Sequence, residues 1–399
     1  MFRYLWASAA ASNLADGVLK VGAPLLAVTL TRSPTLVSLV SVAVTLPWLL
    51  CTLYAGALAD RLDRRRIMVI ANWLRGGALA LTAVASLLDF MSLPLLLVAL
   101  LLFGVCEVFA DTAAQAVLPM VVERERLAAA NGRIVAAQTI GGDFLGGPLA
   151  GLLVAVLPTA VFGAPALLYS VAGALLLGMR GRRFRPEVVS TAPLRVDIKE
   201  GLSYLWNDRV VRALAIAAGM LNTANAAFFS VFVLWAVGPE SRIGLTSSAF
   251  GVAMTVLAVG ALLGSLFVAR FAAWAGEGRT LVITWLGNSL LLLVPVVLPS
   301  AYALFPAVFL IGITAASSNV VVVSLRQRII PSALLGRVNS AYRLIGAGGM
   351  PLGAAVGGLL AEVFGLVAVF YAAVAVCVLA VAVARAGLRT RAFEPALAA

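Results

Sequence analysis

Twelve stretches of predominantly apolar sequence, six on each side of a basic connection, constrain this 399-residue chain more than any other feature. They fall near residues 7–30, 35–59, 67–88, 93–119, 132–157 and 161–179, and then near 213–237, 247–270, 280–299, 302–325, 338–361 and 366–386. A helix needs about 20 such residues to cross the hydrocarbon core of a bilayer, and it satisfies its own backbone hydrogen bonds as it does so. With 62% hydrophobic and only 12% charged residues, the chain lies far from the roughly 25% charged composition of a soluble domain. The expectation is an all-α membrane protein of twelve transmembrane helices in two six-helix bundles. The bundles are residues 1–179 and 213–386, joined by a cytoplasmic linker at 180–212 and followed by a cytoplasmic tail at 387–399. The first span is read as retained rather than as a signal peptide, because Asn13, Asp16 and Lys20 interrupt its apolar run.

The net charge of +12 invites a nucleic-acid reading until the basic residues are placed. With the N-terminus inside, 24 of the 29 Lys and Arg fall on the inner side of the spans. That bias is the orientation signal of a membrane protein, so no nucleic-acid partner is implied and both termini are cytoplasmic. The partners expected instead are the lipid bilayer, protons and a small organic substrate, with the protein working as a monomer.

Other chemistry drops out quickly. The chain has no histidine, which removes histidine catalysis, histidine metal sites and histidine proton relays. Cys51, Cys106 and Cys377 each sit alone in an apolar run, so neither a metal nor a redox spacing arises. No cofactor, metal or enzymatic activity is expected, since no nucleophile and base are clustered at one depth. In the linker, Leu194, Ile198, Leu202 and Leu205 recur at helical spacing among charged residues. They predict an amphipathic helix, lying either on the inner leaflet or packed against the bundle.

The two halves repeat at an offset of about 208 residues. Asn13 and Asp16 fall on Asn222 and Asn225, Asp111 falls near Asn319, and Asn131 falls on Asn339. Span 5 reads GGDFLGGPLAGLL and span 11 reads GGMPLGAAVGGLL. Duplicated halves are the layout of carriers that place a substrate site at mid-membrane. The small-xxx-small spacings in spans 5 and 11 allow close helix approach, either as a sliding seam or as static packing.

After span 2 the chain reads GALADRLDRRRIM, from Gly56 to Met68. This resembles the loop signature of the major facilitator superfamily through Gly56, Asp60, Arg61, Arg64 and Arg65, with Asp63 where the general pattern has Gly. Stretches in span 1 (NLADGVLKVGAPLLAVTLT), before span 5 (ERERLAAANGR) and entering span 11 (QRIIPSALLGRVNSAYRLIG) are similar to the branch containing enterobactin exporters and macrolide efflux proteins. Span 5 resembles the superfamily's antiporter signature through Gly147, Pro148 and Gly151, while Asp143 and Leu152 depart from it. The resemblance implies a secondary transporter of the bacterial inner membrane, with a cytoplasmic gate at the loop motif. It also implies export of a drug, siderophore or related metabolite, the multidrug-resistance role of that branch. In physical terms Asp60 would meet the positive end of a neighbouring helix, and Arg61 and Arg64 would fork onto carboxylates.

Four acids lie inside spans: Asp16, Glu107, Asp111 and Asp143. Each costs about 2.5–3.5 kcal/mol at the bilayer centre unless it is paired, wet or protonated. Without histidine, proton coupling must use a carboxyl, and Asp16 and Glu107 stand first, then Asp111 and Asp143. Asp16 and Lys20 share one helix face and can pair, while Arg75 can meet Glu107 or Asp111. The matching positions of the second half are neutral, which assigns the ion to the first half and the organic substrate to the second. Candidate cavity residues there are Asn222, Asn225, Phe228, Phe229, Asn319, Tyr342 and Arg343, an aromatic and amide lining suited to an amphipathic molecule. The function expected is proton antiport with alternating access. A proton-independent facilitator and a lysophospholipid flippase on the same fold are the alternatives.

Overall fold

The computed structural model describes residues 1–59, 61–123, 126–179, 184, 194–331 and 334–388. Among the described residues the secondary structure is helical, apart from an isolated bridge between Val237 and Leu245. Among the described residues, twelve helices are long and apolar enough to cross a membrane.

In the first half these are α1 (Phe2–Leu30), α2 (Pro34–Ala59), α3 (Arg64–Leu87), α4 (Leu93–Val121), the interrupted α5 (Leu127–Gln138) and α6 (Gly146–Val156), and α7 (Ala160–Leu177). The linker holds α8 (Leu194–Asn207). The second half has α9 (Arg209–Ala236), α10 (Ser247–Ala275), α11 (Glu277–Leu291) with the short α12 (Val294–Val297), α13 (Ala301–Ile329), α14 (Leu335–Phe364) and α15 (Leu366–Leu388).

Local chemistry sets several of these boundaries. The Asp63 carboxylate accepts from the Arg66 amide and caps α3. Asp208 accepts from the amides of Val210 and Val211 and starts α9. Such caps satisfy amides that the first turn leaves without partners. Gly276 and Gly365 take positive φ, at 82° and 83°, where the chain turns from α10 into α11 and from α14 into α15.

Two compact units form. One comprises Met1–Thr191 and Ala236–Thr255, and the other Ala192–Trp235 and Val256–Ala399. The first has a core that includes Leu5, Met68, Val117 and Leu176. The second is built around residues such as Leu214, Trp285, Val321 and Val338.

The fifth span is not a continuous α-helix. Thr139–Leu145 form a π-helical turn between α5 and α6, carrying Gly141, Gly142 and Asp143. A π-turn inserts an extra residue and rotates the next stretch of helix, and such turns gather at functional sites. Gly142 and Gly146 face α1, where a Cβ on Gly146 would lie 2.5 Å from the Gly17 backbone. Gly147 and Gly151 instead face Gly251 and Ser247 at the start of α10. The second unit repeats the contact, since a Cβ on Gly353 would meet the Thr223 carbonyl of α9 at 2.1 Å.

The linker helix packs against the core of the second unit. Leu205 is fully buried, Leu202 and Tyr204 lie on the same core, and Glu200 forms an ion pair with Arg337. Gly201 permits this approach, because a Cβ there would strike the Arg337 carbonyl. The tenth span also runs a turn beyond its expected end at 325, which draws Arg326 into α13.

Candidate functional site

Three helices of the first unit, α1, α3 and α4, bring Asp16, Lys20, Arg75, Glu107 and Asp111 together. Asp16 on α1 meets Arg75 on α3 at 3.1 Å, and both are buried, Arg75 to 1% exposure. The Tyr169 hydroxyl of α7 donates to the same carboxylate oxygen, and its ring lies 4.8 Å from the guanidinium. Phe103 flanks that guanidinium from α4 at 5.6 Å. Arg75 Nε has no hydrogen-bond partner, so the pair is held by one ionic bond, one phenolic bond and two ring faces.

Lys20, one turn along α1 from Asp16, does not pair with it. Its ammonium bonds Glu107 of α4 at 2.8 Å, and the Trp48 indole donates to the other carboxylate oxygen at 3.4 Å. The i, i+4 pair expected within α1 is therefore replaced by two pairs across helices. Arg75 is occupied by Asp16 rather than by Glu107 or Asp111. Glu107 is 3% exposed while the Lys20 side chain is 49% exposed, so the cluster is closed on one side and open on the other.

Asp111 lies one turn beyond Glu107 on α4. Among the described residues it makes no hydrogen bond and no ion pair, although the Lys20, Arg75, Asp16 and Glu107 charges all act on it. Asp143 is exposed on the π-turn, and Lys20 acts on it as well. Leaving Asp143 aside, the cluster holds three carboxylates and two cations, with both cations already committed.

The described arginines of the loop motif bond to helix ends. Arg64 donates to the carbonyls of Ala59 and Ala116, tying the ends of α2 and α4 together. Arg65 donates to the carbonyls of Leu176 and Leu177, closing the C-terminus of α7. These guanidinium groups complement the negative helix ends. Arg61 is exposed, Gly56 has open space around its α-carbon, and Asp60 lies outside the described residues.

In the second unit a cavity of about 260 Å³ opens between α9, α11, α13 and α14. Its walls include Asn222, Asn225, Asn319 and Tyr342, four of the residues singled out in the sequence, together with Trp285, Asn288 and Ser318, which were not. Asn222 donates to the Gly346 carbonyl, and the Tyr342 hydroxyl donates to the Leu214 carbonyl, so both side chains are fixed in place. Phe228 and Phe229 belong instead to an aromatic cluster with Phe232 and Phe370, and Arg343 is exposed; none of the three lines this cavity.

Residues 1–398 match the family described as transmembrane secretion effectors. The chain belongs to that family, a branch of the major facilitator superfamily. Among similar proteins are the multidrug efflux pump Tap of Mycolicibacterium fortuitum, 26% identical across 89% of this chain and 87% of that one, and the enterobactin exporter EntS of Shigella boydii, 26% identical across 90% and 85%. Macrolide efflux protein A of Streptococcus pyogenes is 25% identical across 90% and 89%. Of solved structures, the nucleoside transporter NupG superposes with a TM-score of 0.77 at 13% identity, covering 98% of this chain and 99% of that one. A bacterial homologue of the iron transporter ferroportin, in its inward-facing state, gives 0.74 at 17%, covering 97% and 98%. At those identities the structures establish a shared fold. Family and fold are those of transporters, and the twelve helices are those of an integral membrane protein.

Three polar side chains near the charged cluster were not evident from spacing alone. Tyr169, Asn72 and Trp48 lie on α7, α3 and α2, and none of them was singled out in the sequence. Asn72 accepts from Ser12 at 3.3 Å and joins α3 to α1 just beyond the Asp16 pair. Their signal was the cost of placing a polar group in the bilayer, which marks each as a residue in need of a partner.

Proposed function

We propose that this protein exports a small amphipathic organic compound across the bacterial inner membrane in exchange for protons, by alternating access, with its termini in the cytoplasm. The observation that carries the reading is Asp111, a membrane-embedded carboxyl without a bonded partner beside two satisfied ion pairs. One proton on the cluster makes it neutral; its loss leaves one net negative charge. The proton is expected on Asp111, because Asp16 and Glu107 each accept from two donors already.

Lys20 makes the chemistry directional. Its ammonium is a compact charge on a flexible stem, and Glu107 and Asp111 lie one helical turn apart on the same face, about 5–6 Å between their β-carbons. With Asp111 protonated, Lys20 rests on Glu107. Once the proton leaves, two carboxylates compete for one ammonium, and α1 is drawn along α4. Gly17, one residue after Asp16, carries that movement to the close contact with Gly146 on α6. The exposure of Lys20 provides the route by which protons and water reach the cluster.

The functions of the relatives, export of multiple drugs, of macrolides and of enterobactin, support an organic cargo and an outward direction. The aromatic and amide walls of the cavity in the second unit match the apolar and polar parts of an amphipathic molecule. The test is transport of a macrolide and of enterobactin by purified protein in proteoliposomes, with and without an imposed pH gradient. Transport against a concentration gradient that appears only with the pH gradient supports exchange. Equal flux under both conditions points to a facilitator or a lysophospholipid flippase.

A further inference from the structure

A second cation lies buried in the membrane region, apart from the acidic cluster of the first unit. Arg326, in the last turn of α13, is 8% exposed. Its guanidinium carbon sits 3.7 Å from the centre of the Tyr342 ring. Neither Nε nor Nη1 has a hydrogen-bond partner, and among the described residues no carboxylate forms an ion pair with it. A stacked ring offsets part of the cost of such burial, by about 2 kcal/mol when desolvated, but it cannot accept the forked N–H pairs.

The position of this cation connects it to the cavity. Asn319 and Val322 line the cavity, and Arg326 continues the same stripe of α13. Tyr342 is the shared wall, with the guanidinium against its ring and the cavity beside it. Asn288, a cavity residue on α11, has a buried amide oxygen with no donor. A pocket with aromatic walls thus has one unsatisfied acceptor in its lining and one unsatisfied cation next to it.

We propose that this cavity binds organic anions: an aromatic or amphipathic body with a hydrogen-bond donor for Asn288 and a carboxylate, or an oxyanion of similar geometry, for Arg326. A planar carboxylate matches the guanidinium fork with two parallel bonds. The proposal rests on the reading of the chain as a carrier of small organic molecules, and it specifies the charge of the cargo. It also gives the second unit an electrostatic role that its neutral cavity lining does not provide.

The experiment is equilibrium binding to the full chain in lipid nanodiscs, without any gradient, monitored through tryptophan fluorescence because Trp285 lines the cavity. The probes are 6-hydroxy-2-naphthoate and its carboxamide, which share a shape and differ in charge. Wild type should bind the acid about tenfold more tightly, as expected for an added hydrogen bond to a charged group. Arg326→Gln should bring the acid to the affinity of the amide and leave the amide unchanged, which a purely structural role for Arg326 would not do. If Arg326→Gln fails to bind the amide, the decision passes to Arg326→Lys, which loses the fork and should shrink the preference to about threefold. Equal binding of acid and amide by wild type, no binding of either, or an undiminished preference in the deciding variant would overturn the proposal. Since no proton gradient is present, failure of coupling in proteoliposomes leaves this result standing, and the reverse also holds.

Discussion

Replacing Asp111 by Asn removes one carboxylate and keeps nearly the same volume, so it isolates the charge. The Lys20–Glu107 bond at 2.8 Å and the Arg75–Asp16 bond at 3.1 Å have no atom in common with Asp111. Both should persist, leaving a cluster of two cations and two anions with no site for an exchangeable proton. A driving force of roughly 150 mV supplies about 3.5 kcal/mol per charge moved, or roughly a 300-fold accumulation for one proton per molecule. Asp111→Asn should reduce that accumulation to about onefold while retaining exchange of labelled for unlabelled substrate within about threefold of wild type. Its melting temperature in nanodiscs should match or exceed that of wild type, because a buried acid without a bonded partner has been removed. Uphill accumulation that survives in Asp111→Asn would refute the reasoning, whatever happens to the absolute rate.

The two ion pairs should behave differently from Asp111. Asp16→Asn leaves Arg75 buried and uncompensated at a cost of about 3–5 kcal/mol, and combining it with Arg75→Met should recover much of that; thermal unfolding of the single and double variants would show it. Gly146→Ala places a methyl against the Gly17 backbone and should cost about 1–3 kcal/mol, whereas Gly163→Ala, with open space around it, should be neutral in the same assay. Arg65→Ala removes two donors from the last turn of α7 and should destabilise by about 1 kcal/mol, a loss visible as faster amide exchange near Leu177.

The large-scale architecture was readable because the bilayer imposes it. Apolar runs of fixed length and one-sided basic residues leave few alternatives, and the observed spans begin and end close to the expected ones. The acids were readable for the same reason, since each is costly in an apolar run. Their pairing was not. Sequence spacing favoured Asp16 with Lys20, but the packing of α1 against α7 and α4 leaves Asp16 bonded to Arg75 and Tyr169 and Lys20 bonded to Glu107. Arg326 is hidden in the sequence for a related reason. As a residue just beyond a span ending at 325, it looks like part of the orientation signal. Its spacing from Asn319 and Val322, seven and four residues earlier, is the available sign that it continues the cavity stripe. Phe228 and Phe229 looked like cavity walls because aromatic residues serve equally well in a site and in a core, and only tertiary packing distinguishes the two uses.

The most direct test of the central claim is the movement of protons themselves. Proteoliposomes containing wild-type protein, a trapped pH-sensitive dye and a clamped membrane potential would be given an outward substrate gradient and no initial pH difference. Substrate leaving the lumen should draw protons inward, acidifying the lumen by about one proton per molecule, and Asp111→Asn should abolish the acidification while substrate continues to leave. Substrate efflux from wild type with no change in luminal pH would contradict the account.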